Sequence, residues 1–174
     1  MDQTKKKKSP VAAACSALGT VLLIVLAAIC VPLTVPRMFG YHIYTVISGS
    51  MEPAIPVGSL LYIQKVQPED IREQDVIAYY GGENGTAVIT HRVVENRVLM
   101  GEFITKGDAN PREDQRPVPY ADFAGKVRLA IPAAGNAAQA VSSLPGKIAA
   151  ACLIGAAVLL QAAGNWGRQR RRYL

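Results

Sequence analysis

The sequence predicts a mostly β protein: a compact antiparallel β domain hung between two transmembrane α-helices. Three observations carry this. Two long uncharged runs lie near the ends of the 174-residue chain. Each of them abuts a cluster of basic residues. Between them, short runs rich in Val, Ile, Tyr and Thr alternate with turn residues, and no amphipathic helical period is evident before Ala133.

The first uncharged run lies within residues 9–36, and its heart is VAAACSALGTVLLIVLAAICV. That is long enough for a helix to cross a bilayer core of ~30 Å. It exceeds the usual apolar stretch of a cleaved signal peptide, and LAAIC makes a poor lipoprotein-type cleavage site, so it reads as a retained anchor. The second run, Ile148 to Gly167, is rich in Ala and Gly and holds Gln161 and Asn165. It suits a second span, with Trp166 at the interface, but also a buried core helix.

Charge gives the orientation. The net charge is +6, yet residues 1–10 alone carry four Lys against one Asp, and residues 164–174 carry four Arg. The body between them, 11–163, has eleven basic and twelve acidic residues and is close to neutral. There is no basic stripe with interleaved aromatics, which argues against nucleic-acid binding. By the positive-inside rule, Lys5–Lys8 and Arg168–Arg172 both belong in the cytoplasm. The expected organisation is a basic tail (1–9), a transmembrane helix (10–36), an extracytoplasmic β domain (37–146), a second span (147–167) and a basic tail (168–174). The three cysteines, Cys15, Cys30 and Cys152, all fall in the apolar runs, so the β domain has no disulfide of its own and depends on a packed core.

The strands are expected at 41–47 (YHIYTVI), 59–66 (SLLYIQKV), 75–80 (DVIAYY), 87–95 (AVITHRVVE), 97–107 (RVLMGEFITKG) and 123–131 (FAGKVRLAI). GGENG between the third and fourth is a hairpin signal, and DANPREDQRPVP reads as a loop.

Three stretches interrupt this β pattern with groups able to do chemistry. In ISGSMEP a β-branched strand ends in Ser48-Gly49-Ser50, with Pro53 closing the turn. Gly49 permits a tight backbone that can expose a hydroxyl and aim N–H groups at one spot. By itself this is also an ordinary strand-ending turn. In ITHRVVE, His91 sits within an apolar strand, where it is either a structural histidine or a general base; His42, the other histidine, lies next to the first span. In TKGDANPRED, Asp108 and Asp114 lie on a loop, and either could accept the second ring N–H of His91. The D-x-N-x-x-x-D spacing does not match a calcium-binding EF-hand loop. Ser, His and Asp make a nucleophile, a base and an orienter, provided the fold closes gaps of 41 and 23 residues between Ser50, His91 and Asp114.

SGSMEP, THRVVE, TKGDANPRED and GKV (125–127), in that order behind an anchor, resemble the type I signal peptidases. They resemble in particular the serine–histidine branch of the endoplasmic reticulum, archaea and some Gram-positive bacteria, because His91 stands where the ordinary bacterial branch has a lysine base. The resemblance covers residue 44 to about residue 132. It implies a serine endopeptidase that cleaves signal peptides from exported preproteins, with shallow pockets for small residues before the cut. It implies Ser50 as nucleophile, His91 as base and Ser48 as oxyanion donor. Asp114 is implied as the partner of His91, and Asp108 as a support. No metal or cofactor is called for. The substrate is a membrane-borne signal peptide, so an apolar face beside the nucleophile is expected to meet lipid and substrate, with Met51, Ala54, Ile55 and Pro56 as candidates. Partner subunits are not legible in the sequence. Two other readings are a non-catalytic β module for protein binding and a self-cleaving repressor-type protease; the latter type carries a lysine base and a DNA-binding domain, of which the chain shows neither.

Overall fold

A computed structural model describes residues 10–82 and 85–170. The basic tail at 1–9, positions 83–84 of the GGENG turn and the last four residues lie outside the described residues. The chain forms two compact units. One comprises the residues up to Pro32 with those from Val141, and the other runs from Leu33 to Ala140.

The first unit is built on α1 (Pro10–Met38) and α3 (Leu144–Arg170). Both are long and apolar enough to cross a membrane. They approach closely where side chains are small. A Cβ on Gly19 would stand 2.9 Å from the carbonyl oxygen of Ala157, and one on Gly164 would stand 2.9 Å from that of Ala12. Gln161, one of the two polar side chains noted in the second run, donates from Nε2 to Thr20 Oγ1 at 3.4 Å. Its amide therefore has a partner on the neighbouring helix.

The second unit is a seven-stranded antiparallel sheet ordered β1-β2-β7-β3-β4-β5-β6. Its strands are β1 (Tyr41–Thr45), β2 (Leu60–Gln64), β3 (Val76–Gly81), β4 (Ala87–Arg97), β5 (Glu102–Lys106), β6 (Val118–Pro119) and β7 (Phe123–Ile131). Five of the six expected runs become strands: 41–47 and 59–66 lose their ends, 75–80 shifts by one residue, 87–95 extends to Arg97, and 123–131 is unchanged. The sixth, 97–107, divides: Val98, Leu99 and Met100 form an exposed hairpin tip, closed by Gly101 at φ +67°, and the strand restarts at Glu102. The short β6 lies in the stretch expected to be all loop, held by Phe103↔Val118 and Glu102↔Pro119.

Packing covers both faces of the sheet's centre. Ile71, Ile77, Tyr79, Val93, Phe103 and Val118 form one cluster. Met51, Ile55, Leu61, Ile63 and Ala78 form a second. Leu60 and Tyr62 point the other way from Leu61 and Ile63, and meet Ala138 of α2 (Ala134–Ser142). Four consecutive residues of β2 are buried as a result.

Candidate active site

Arg92 and His91 are consecutive on β4, so the pleat sends their side chains to opposite faces. Each meets a different aspartate of the loop after β5. His91 Nδ1 lies 2.5 Å from Asp114 Oδ2. Arg92 grips Asp108 with two bonds, Nε to Oδ1 at 2.8 Å and Nη2 to Oδ2 at 2.6 Å. Its hydrogen bonds to Asp108 raise the Arg92 guanidinium further above its ordinary value, against the opposing effect of burial.

The loop also reaches the serine turn. Ala109 N–H donates to the Ser50 carbonyl at 2.9 Å. Only glycine fits at 107, since a Cβ there would sit 2.7 Å from the Ser50 carbonyl oxygen and 2.7 Å from Asn110 Nδ2. The KGD sequence thus serves close backbone approach as well as charge. The turn carrying Ser50 holds itself together through Glu52 N–H to the Gly49 carbonyl (3.0 Å) and Ile55 N–H to the Met51 carbonyl (2.8 Å).

Ser50 and Ser48 line a groove of ≈ 400 Å³ whose other walls include Thr45, Ile47, Val88 and Thr90. Along this groove Ala87–Thr90 of β4 pair with β3 alone, because the β5 ladder begins at Arg92. One backbone edge is left open. Among the described residues Ser50 Oγ makes no hydrogen bond, and neither does His91 Nε2. No buried side-chain nitrogen or oxygen there lacks a partner. Both atoms are therefore reached by solvent, although the His91 residue as a whole is only 8% exposed. The imidazole is held from behind at Nδ1 and free in front at Nε2.

The expectation for Met51 and Ile55 requires correction. They were expected on an apolar face toward lipid, but they are 2% and 5% exposed and pack into the second core cluster. The turn folds back onto the sheet and uses them as its anchor, which leaves Ala54 outside and Pro56 half-buried. Met51 also lines the groove floor. His42 lies exposed on β1 and is not among the residues drawn to this site.

Two further groups meet Asp114 that sequence reasoning did not single out. Thr105 Oγ1 donates to Asp114 Oδ2 at 2.6 Å, and Asp114 N–H donates to the Thr105 carbonyl at 2.8 Å. Tyr79 OH stands 3.4 Å from the same Oδ2 and 3.3 Å from His91 Nδ1. Burial, with the negative charge of Asp114 behind it, pushes the Tyr79 hydroxyl up to about 12. A usable signal existed for Tyr79: a tyrosine inside an apolar strand needs a polar partner for its hydroxyl.

The chain resembles proteins of known name across much of its length. No family model matches it. Signal peptidase I W of Bacillus subtilis (strain 168) is 36% identical over 87 residues, covering 48% of this chain and 44% of that protein. The signal peptidase complex catalytic subunit SEC11C of Rattus norvegicus is 31% identical over 130 residues, covering 68% of this chain and 67% of that one. The chain belongs to the type I signal peptidase family. Its branch is the one of the endoplasmic-reticulum and Gram-positive enzymes. The SEC11 subunit of Schizophyllum commune is similar to it as well, 33% identical over 129 residues. The match spans less than half the length of the Bacillus signal peptidase. With two apolar helices beside this family likeness, the chain is a membrane protein.

Proposed function

We propose that this signal peptidase family member cleaves signal peptides from exported preproteins, with Ser50 as nucleophile, His91 as general base and Asp114 as its orienter. The observation that carries the reading is the 2.5 Å contact between His91 Nδ1 and Asp114 Oδ2, with Nε2 left open on the far side of the ring. A carboxylate at Nδ1 fixes the tautomer in which Nε2 carries the lone pair, and it stabilises the imidazolium that forms when Nε2 takes the Ser50 proton. Ser50 Oγ is unengaged in the free protein. Such hydrogen bonds are often long before substrate binds and tighten in the Michaelis complex.

The steps follow. Ser50 Oγ attacks the scissile carbonyl as Nε2 accepts its proton. Ser48 Oγ and the Ser50 N–H are the oxyanion donors. Nε2 then protonates the leaving amine, the mature protein departs, and water hydrolyses the acyl-enzyme by the same route in reverse. The open edge of Ala87–Thr90 can bind an extended cleavage segment as an added strand. The family likeness implies that this groove favours small side chains before the cut. We place both termini in the cytoplasm and the β domain outside, where a membrane-borne substrate presents its cleavage site.

The test is cleavage of a preprotein by the full chain in detergent micelles, with the new N-terminus read by mass spectrometry. Cleavage after a small residue, lost in Ser50→Ala and in His91→Ala, supports the reading. Unchanged cleavage by purified Ser50→Ala refutes it.

A further inference from the structure

Asp114 does not serve His91 alone. Its Oδ2 faces the imidazole Nδ1 at 2.5 Å, the Thr105 hydroxyl at 2.6 Å and the Tyr79 hydroxyl at 3.4 Å. Two of these three are neutral hydroxyls, and neither is explained by holding the sheet together, since Thr105 and Tyr79 already pair through their backbones with Val93 and with Ile89 and Phe123. Thr105 is fully buried and Tyr79 is 7% exposed, so water does not readily replace either hydroxyl.

A carboxylate only accepts, so Thr105 must be a donor to it. Tyr79 keeps its proton throughout the neutral range and is likewise a donor. A carboxylate that receives two hydroxyls spreads its charge over three donors and pulls less strongly on the imidazole N–H. We propose that Tyr79 and Thr105 are positioning residues that fix and temper Asp114, and through it set the turn of the His91 ring. This rests on the reading of His91 and Asp114 as base and orienter.

The surroundings of His91 make the effect readable. Among the described residues, the titratable and charged groups near it are Tyr79 from β3, Asp114 from the loop, and Arg92 on its own strand. Arg92 is taken up by Asp108, and from β5 Lys106 stands across from Arg92 rather than from His91. Across β3 the partner of His91 is the apolar Ile77.

Removing a hydroxyl concentrates the charge of Asp114 on the imidazole. The protonated base is then favoured, and activity fails at a higher pH than before. In Thr105→Val and in Tyr79→Phe the acid limb of the kcat/KM profile is expected to move up by about half a pH unit or more. The expected fall in kcat is about 10-fold, with KM for the preprotein little changed. Thr105→Ser, which keeps the hydroxyl, should restore the wild-type limb. The same midpoint is measured without substrate by NMR of the His91 ring in the full chain in micelles. This separates the proposal from the function: cleavage by Ser50→Ala would sink the catalytic assignment, whereas the NMR midpoint judges the network alone. Should Thr105→Val not fold, Tyr79→Phe decides by itself. A limb and an NMR midpoint that stay put in a folded variant, even one of reduced rate or lower Tm, would overturn the proposal and leave both residues merely structural.

Discussion

Two aspartates of one loop meet two consecutive residues of β4, and they meet them in different ways. Asp114 touches His91 through one oxygen, shared with two hydroxyls, on a ring that can gain or lose a proton. Asp108 meets Arg92 through both oxygens, in a fork that stays charged at any working pH. The first arrangement suits a proton that must move. The second suits a loop that must not, because the same loop presents Ala109 N–H to the Ser50 carbonyl. Two alternating positions of one strand thus divide the work. One face holds the proposed base, and the other ties its strand to the loop beside the proposed nucleophile.

The widest contrast comes from removing each β4 residue in turn. His91→Ala should lower kcat/KM for preprotein cleavage by about 10³-fold or more in protein that still folds. Arg92→Ala should do the opposite. It leaves Asp108 partly buried without its cation, at a cost of about 2–4 kcal/mol in urea unfolding, with activity per folded molecule within about tenfold of wild type. Equal losses of activity from the two would erase the distinction drawn between the faces. His91→Lys belongs beside them. It should stay close to inactive at neutral pH, because an ammonium loses its proton there only in a desolvating shell, and Asp114 next to it holds the proton on.

A finer cut separates the charge of Arg92 from its shape. Arg92→Lys keeps the cation and gives up the fork. A loss of about 1–2 kcal/mol, measured as a shift in the urea midpoint, is expected. No loss would mean that a point charge suffices to hold the loop.

The smallest effect lies away from the site and serves as a control. Asp75 pairs with Lys126 at 2.6 Å, joining the start of β3 to β7. Burial pushes its carboxyl up, but the hydrogen bond from Lys126, the Arg72 N–H and the charge of Lys126 outweigh this and leave it below its ordinary value. A carboxyl lowered by folding adds stability above its unfolded value near 3.8, and that stability disappears as pH falls through the lower folded value. Asp75→Asn should therefore cost on the order of 1 kcal/mol at pH 7 and progressively less as pH falls below 3.8, with no change in catalysis.

Much of the sheet was legible because alternation and β-branched composition mark half-buried strands whatever surrounds them. The misreadings share a cause. Val98, Leu99 and Met100 look like strand interior, yet the chain turns there, since Gly101 at φ +67° and the pairing of Arg97 with Glu102 decide the hairpin. Met51 and Ile55 looked available to lipid, because composition cannot say whether a turn folds outward or back onto the sheet. In the site, Ser50, His91 and the two aspartates stood out as polar residues interrupting an apolar pattern. Which aspartate faces which β4 residue was a matter of register, and the family resemblance rather than the spacing favoured Asp114 for His91. Tyr79 and Thr105 passed as ordinary strand residues. Their hydroxyls acquire meaning only when the loop after β5 brings Asp114 over them.

The division of labour is tested most directly by converting each aspartate to its amide in the full chain and measuring kcat/KM and the thermal midpoint together. Asp114→Asn should lower kcat/KM by about 10²–10⁴-fold with the midpoint close to wild type. Asp108→Asn should lower the midpoint and retain most of the activity per folded molecule. If Asp108→Asn proves the more damaging to catalysis while Asp114→Asn mainly destabilises, the roles assigned to the two faces of β4 are wrong.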